Sequence, residues 1–268
     1  NIISLDFYFY NFDFKYENLK NISDDKKIFT CKLTDNINKL LELDNYNLYI
    51  KPFNKNQRGG KRFIFSCEKL SKILTKLLKP NLSDNFSHVN HIFRYNKFTK
   101  NDGNFVNHYD TPYYDKMKSL ISEYTIIIYL TKGSNNNFVL NINDFKIKEI
   151  DKNQCIIFHQ KYEHEGGVYQ DNDKIFIRSE LIFKFDKKKN NINNNIKNAE
   201  IFSKACYMNK QSIFNPELNN YTSKCFNYVS ANRFKLQKKL NFQEKLIFKS
   251  FGKNITFITN GYDYWFSK

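Results

Sequence analysis

Residues 123–150 read EYTIIIYLTKGSNNNFVLNINDFKIKEI. Three short runs, EYTIIIYL, NFVLNI and FKIKEI, are rich in β-branched and aromatic residues, and the turn cluster KGSNNN separates the first two. Each run has strand length and is too short for a helix that must bury one face. The same grammar extends outward from about residue 90 to residue 186. HIFRYNKF and NFVNHYD precede the quoted stretch, while QCIIFH, HEGGVY and KIFIRSELIFKF follow it, with TKNDGN and QDNDK as further turns. Eight short strands with no intervening helix predict a sandwich, jelly roll or barrel.

The flanks read differently. Residues 1–65 mix short apolar runs (ISLDFYFYNF, NLYIKPF) with polar turns and end in the loop NKNQRGGKR. From Ser66 to Lys79, SCEKLSKILTKLLK places Leu70, Ile73, Leu74, Leu77 and Leu78 at i, i+3, i+4, i+7 and i+8, with Pro80 as a stop. That is a helix lying on a sheet. The expected organisation is therefore N-terminal strands and a support helix over 1–89 and a β core over 90–186. A polar low-complexity linker or loop, KKKNNINNNIKNAE, covers 187–200, and a C-terminal extension of mixed character covers 201–268. The end of that extension, NITFITNGYDYWF, carries a hairpin signal at Asn260-Gly261. The fold class is mainly β with flanking helices.

Composition bounds the function. With 41% hydrophobic and 17% aromatic residues, the chain can bury a core and is not disordered as a whole. Lys and Arg number 43 against 27 Asp and Glu, a formal net charge of +16, which raises the question of nucleic acid as a partner. Lys, Asn, Ile, Tyr and Phe are all abundant and all spelled by AT-rich codons, so part of that excess follows base composition. The five cysteines, Cys31, Cys67, Cys155, Cys206 and Cys225, are scattered and form no CxxC pair. This fits a reducing, intracellular compartment and argues against structural zinc. No apolar run approaches transmembrane length and no signal-peptide pattern is present. The chain begins at Asn1 rather than Met, which leaves room for a removed leader.

The chemistry starts at FVNHYDTPYYD, residues 105–115. On an extended strand His108 and Asp110 point to one face, so an imidazole and a carboxylate converge. The chain has five histidines, and His164, in the run KYEHEGGVY, is the natural third ligand from an adjacent strand. Two histidines and one carboxylate leave three positions open on a metal, the arrangement of non-haem Fe(II) oxygenases. A zinc hydrolase would need a positioned base and usually a denser His cluster. His88, His91 and His159 read as structural or exposed. Ten and fourteen residues after His164, Lys174 and Arg178 share one face of KIFIRSELIFKF with Phe176 and Glu180. Two cations on an apolar strand need anions. Either they form salt bridges, for instance to Glu180, or one grips the far carboxylate of a dicarboxylate that chelates the metal. Four residues along a strand is about 13 Å, so the two cannot share one carboxylate.

At this point the span 90–186 resembles the catalytic core of the prolyl 4-hydroxylase-like 2-oxoglutarate and Fe(II)-dependent dioxygenases. NHIFRYNKFTKNDGNFVNHYD is similar to that family's segment in which an Arg-Tyr pair precedes a Gly turn and H-x-D. TIIIYL resembles its strand ending in Tyr-Leu, and HEGGVYQDNDKIFIRSEL its H-E-G segment with a basic residue ten positions on. The resemblance implies a double-stranded β-helix (jelly-roll) core, with His108, Asp110 and His164 as Fe(II) ligands and as the catalytic centre. It implies 2-oxoglutarate as co-substrate held by Lys174, with Tyr129 assisting the same carboxylate, Tyr95 as a pocket tyrosine near the metal, and Arg178 as support or substitute anchor. Dioxygen and, as a reductant, ascorbate complete the implied cofactors.

Two departures stand out. Where the family has Gly-Gly-x-Thr-x-Phe after the Tyr-Leu strand, this chain has TKGSNNNFVLNI, keeping Gly133 and Phe138. Thr111-Pro112 replaces the Gly that follows the metal-binding Asp. The resemblance implies hydroxylation of a protein or peptide side chain, coupled to decarboxylation of 2-oxoglutarate to succinate. Two other readings are a nucleic-acid-oxidising dioxygenase, suggested by the charge, and a non-catalytic module that binds a partner on the same fold. Oligomeric state is not legible.

Overall fold

A computed structural model of the chain describes residues 5–6, 15–17, 19–23, 27–49, 59–110, 113–115 and 118–185. The linker over 187–200, the extension over 201–268 with its Asn260-Gly261 hairpin, Cys206, Cys225 and Thr111-Pro112 lie outside the described residues. In chain order the strands begin with β1 (Lys20–Ser23), β2 (Ile28–Lys32), β3 (Lys61–Ser66), β4 (Phe86–Val89) and β5 (Ile92–Phe98). Next come β6 (Phe105–His108), β7 (Tyr114–Asp115), β8 (Leu120–Tyr129), β9 (Gly133–Ser134) and β10 (Leu140–Ile142). The series closes with β11 (Phe145–Ile147), β12 (Glu149–Ile150), β13 (Gln154–His159), β14 (His164–Gly166) and β15 (Lys174–Lys184). One α-helix, α1 (Glu68–Leu78), lies between β3 and β4.

The core is a jelly roll. Strands β13, β8, β15 and β5 are neighbours in the large sheet, and β11, β10, β14 and β6 form the small one. The chain crosses repeatedly between these two antiparallel sheets, and their inner faces close on each other through Tyr129, Phe158 and Phe176 on one side and Leu140 and Ile142 on the other. β1 with β2 and β3 extend the large sheet at its two edges. The run FKIKEI divides at Lys148, whose carbonyl accepts from Asn135, so β11 stays in the small sheet while β12 pairs with β9.

The outer face of the large sheet carries helices. In α1 the buried residues are Leu70, Ser71, Leu74 and Leu78, and Cys67 caps the helix by accepting from the Leu70 amide. Each leucine brings roughly 1.5–3 kcal/mol of burial to that contact. Ser66, expected as the start of the helix, instead closes β3. A second helical layer was not legible by α-periodicity. Asp35–Tyr46 is a twelve-residue 3-10 helix that buries Ile37, Leu40 and Leu43. Their spacing is three throughout, the repeat of the tighter helix rather than of the α-helix.

Candidate active site

The small sheet supplies two imidazoles by register. His108 ends β6, His164 begins β14, and the antiparallel pairing sets them directly opposite each other. Residues so paired have Cβ atoms about 4.5–5.5 Å apart, and here the ring centroids are 4.3 Å apart. The register shifts between His164 and Gly166, a bulge of the kind that re-aims side chains at sheet edges. Asp110 follows two residues after His108 and is buried, with Oδ1 3.8 Å from His108 Nε2 and Oδ2 3.6 Å from His164 Nε2. One ligand atom from each of the three residues lies within 4.8 Å of the others.

Local hydrogen bonds fix which nitrogen is available. His108 Nδ1 sits 2.8 Å from the Val106 carbonyl and His164 Nδ1 3.3 Å from the Tyr162 carbonyl. A carbonyl only accepts, so Nδ1 carries the proton and Nε2 keeps its lone pair toward Asp110. Burial, then the neighbouring His164, pushes His108 down to about 3. Burial also lowers His164, against the pull of Asp110. Both rings are therefore neutral at neutral pH, the form that binds metal. For Asp110 burial acts to raise the carboxyl, but Arg178 and the two imidazoles hold it well below the usual carboxylate range. Phe105 stacks on His108 at 3.9 Å and Phe158 meets His164 edge-on at 4.7 Å, so the centre has apolar walls.

The two cations of β15 have different company. Arg178 Nη2 is 2.6 Å from Asp110 Oδ1 and Nη1 is 3.6 Å from Glu180 Oε1. Glu180 also accepts from Arg94 at 2.6 Å and from Asn90 at 2.9 Å. Arg178 is thus neutralised in an alternating row, Arg94, Glu180, Arg178 and Asp110. Lys174 is buried, and its Nζ donates to the carbonyls of Val139 and Gly167, both at 2.7 Å. Among the described residues no carboxylate meets it. Its Nζ lies 5.6 Å from the Tyr129 ring, 5.9 Å from Tyr169 and 5.6 Å from Phe176, and burial pushes it down to about 7. An ammonium has three donors and the carbonyls use two.

Tyr129, buried on the inner face, forms the wall beside Lys174, and burial raises its phenol well above the ordinary value. Tyr95 corrects the expectation of a pocket tyrosine near the metal. It pairs with Ile177, stacks on Phe63 at 4.7 Å and belongs to the core on the opposite, helix-covered face of the large sheet. The strand's alternation requires this: Arg94, one residue earlier, takes the inner position, across from Arg178. His159 is likewise away from the centre, edge-on to its cross-strand partner Tyr124 at 4.9 Å, and His88 on β4 lies by the Ser87 hydroxyl.

Sequence reading missed Thr125, whose hydroxyl donates to Asp110 Oδ2 at 2.5 Å, and the Arg94–Glu180 pair. Thr125 was findable, since it shares a strand face with Ile127 and Tyr129 and is the polar member of YTIIIY. The donor set fits Fe(II), with two neutral imidazoles and one ionised carboxylate converging beside the Phe105 and Phe158 rings. Lys174, buried and with no carboxylate among the described residues, fits a carboxylate ligand such as the distal end of 2-oxoglutarate.

No protein-family model and no curated protein matches the chain. Solved structures similar to it include the viral collagen prolyl hydroxylase of Paramecium Bursaria Chlorella virus-1, at 17% identity over 61% of this chain and 99% of that one, with a TM-score of 0.45. A prolyl-4-hydroxylase of Pseudomonas putida matches at 8% identity over 66% and 96%, with a TM-score of 0.41. A structure of prolyl 4-hydroxylases from Phytophthora capsici matches at 11% identity over 88% of each chain, with a TM-score of 0.43.

Proposed function

We propose that the chain is a 2-oxoglutarate- and Fe(II)-dependent dioxygenase of the prolyl 4-hydroxylase-like family, which hydroxylates a protein side chain. The observation that carries this reading is one arrangement: His108, Asp110 and His164 converge in one cluster, and the face of β15 whose Arg178 meets Asp110 also carries Lys174, buried and with no carboxylate among the described residues. When bound, Fe(II) with 2-oxoglutarate and dioxygen supplies oxidative decarboxylation to succinate and carbon dioxide, coupled to hydroxylation of carbon.

The chain's own residues do the rest. Nε2 of His108, Nε2 of His164 and a carboxylate oxygen of Asp110 would hold the metal. Arg178 keeps Asp110 ionised, and the carbonyls behind each Nδ1 keep the rings aimed. Lys174, steadied by two carbonyls, would offer its third N–H to the distal carboxylate, with Tyr129 flanking it. Arg178 is already committed to two carboxylates, which favours Lys174 as the anchor. Phe105 and Phe158 exclude water from the metal side of the pocket.

The test is succinate release by iron-loaded protein, dependent on both Fe(II) and 2-oxoglutarate, together with a mass-spectrometric search for one added oxygen atom on proline-containing peptides. Protein that neither turns over nor binds 2-oxoglutarate overturns the proposal. The net charge of +16 supports a second substrate class, nucleic acid. Oligonucleotide binding that falls steeply with salt would favour it.

A further inference from the structure

A chain of buried hydrogen bonds runs into Asp110 from the side opposite Arg178. The Tyr113 amide donates to Ser122 Oγ at 2.7 Å, and Ser122 Oγ donates to Gln160 Oε1 at 2.7 Å. Gln160 Nε2 donates to Thr125 Oγ1 at 3.2 Å, and Thr125 Oγ1 donates to Asp110 Oδ2. Ser122, Thr125 and Gln160 have no solvent exposure at all.

Both ends of this chain are chemically one-way. A backbone N–H can only donate, and an ionised carboxylate can only accept. Thr125 must therefore spend its proton on Asp110 and take one from Gln160. The glutamine amide is then oriented with its oxygen toward Ser122, whose hydroxyl receives from Tyr113. No link can reverse without leaving a buried donor or acceptor unpaired, at a cost of about 1–3 kcal/mol. The main chain holds the far anchors as well: Ser122 N donates to the Tyr113 carbonyl at 2.9 Å, and Gln160 N to the Glu123 carbonyl at 2.8 Å. Successive links in one direction polarise each other and strengthen the last bond.

We infer that Thr125, Gln160 and Ser122 are positioning residues for the metal centre. They fix the rotation of the Asp110 carboxylate and couple its state to the backbone at Tyr113. The inference rests on the metal-binding reading above. With Oδ2 accepting from Thr125 and Oδ1 in an ion pair with Arg178, the carboxylate has its plane set before metal arrives, with Oδ1 toward His108 and Oδ2 toward His164. Asp110 and Tyr113 are thereby both tied to the same network.

The experiment titrates Co(II), as a probe of the site, into the full chain and reads its visible absorption, alongside the thermal stability of the metal-free protein. Thr125→Val keeps the shape and removes the donor; it should weaken Co(II) about 10- to 100-fold, the range expected for groups that orient metal ligands. Thr125→Ser should restore wild-type affinity, and Gln160→Leu should weaken it by a smaller factor. In wild type, Zn(II) should slow hydrogen exchange of the peptide containing Tyr113, and Gln160→Leu should abolish that slowing. Folded Thr125→Val and Gln160→Leu proteins that bind Co(II) like wild type overturn the inference. So does a Thr125→Ser protein as weak as Thr125→Val, or unchanged slowing at Tyr113 in Gln160→Leu. If Thr125→Val does not fold, Gln160→Leu and Ser122→Ala carry the same comparison. A wild type that binds no better than His164→Ala removes the metal-centre reading itself, a result distinct from any of these.

Discussion

The two faces of β15 belong to different kinds of protein. Ile175, Ile177, Leu181 and Phe183 enter an apolar core shared with α1 and the 3-10 helix. Lys174 and Glu180, buried, and Arg178, half-buried, are interleaved with them among ion pairs, carbonyls and the His108–Asp110–His164 cluster. The strand itself is uniform; only alternation separates stability from chemistry. The difference teaches that burial alone says little about role here. Tyr95 and Tyr129 are both fully buried tyrosines, yet one stacks on Phe63 in the core shared with the helices and the other flanks Lys174.

The sharpest break of this comparison pairs one residue from each face. His164→Ala should abolish Co(II) binding in a titration while leaving a cooperative unfolding transition. Tyr95→Ala should cost about 3–5 kcal/mol in denaturant midpoint analysis, as for a buried aromatic, yet retain metal affinity in the folded fraction. A Tyr95→Ala protein that unfolds normally but loses metal would place Tyr95 at the site after all. Next in size, Lys174→Met should weaken 2-oxoglutarate binding about 100-fold by calorimetry, with Co(II) affinity within a few-fold of wild type. If Arg178→Met, and not Lys174→Met, selectively loses the co-substrate, the anchor has been misassigned.

A smaller effect separates two adjacent glycines behind Lys174. A Cβ at Gly167 would lie 2.1 Å from the Phe138 carbonyl oxygen, whereas at Gly166 its nearest neighbours, Lys174 Nζ and a Phe105 carbon, are both 3.7 Å away. Gly167→Ala should therefore cost about 1–3 kcal/mol by thermal denaturation and Gly166→Ala much less. Equal costs would mean the backbone there yields freely.

The last expected signal is pH dependence. His108 and His164 are lowered in the fold, so between their folded values and the ordinary 6.5 the unfolded chain binds more protons. Metal-free stability should fall as pH drops below about 6.5, continuing toward about 3 for His108. Lys174 has the same sign in a different window, so its cost lessens as pH rises from about 7 toward 10.5. Chemical denaturation at pH 7.5, 6 and 5 would read the acid limb, and a flat profile would count against neutral buried imidazoles.

Much of this was legible in the residues. Each of the eight turn-punctuated runs carries a strand, and FKIKEI two, because a strand's length and composition are local properties, whereas the two-residue strands β7 and β9 are too short to leave such a signal. H-x-D, the distant His164 and the lysine ten residues on named a candidate site, since ligand chemistry depends on residue type. Other features were not readable. The family resemblance implies that Tyr95 is a pocket tyrosine near the metal, and only the pairing with β15 shows that Arg94 holds the inner place. The 3-10 helix was missed because its buried residues repeat every three positions, a period that α-helical templates do not match.

Taken alone, the sequence determined the β-rich core, its strands and a short list of groups able to bind metal and an anion, because periodicity and side-chain chemistry are written residue by residue. The tertiary structure decided which cation meets no carboxylate among the described residues, which tyrosine flanks Lys174 and which hydroxyl holds Asp110. Those outcomes depend on register between strands distant in sequence, where a shift of one residue turns every side chain to the other face.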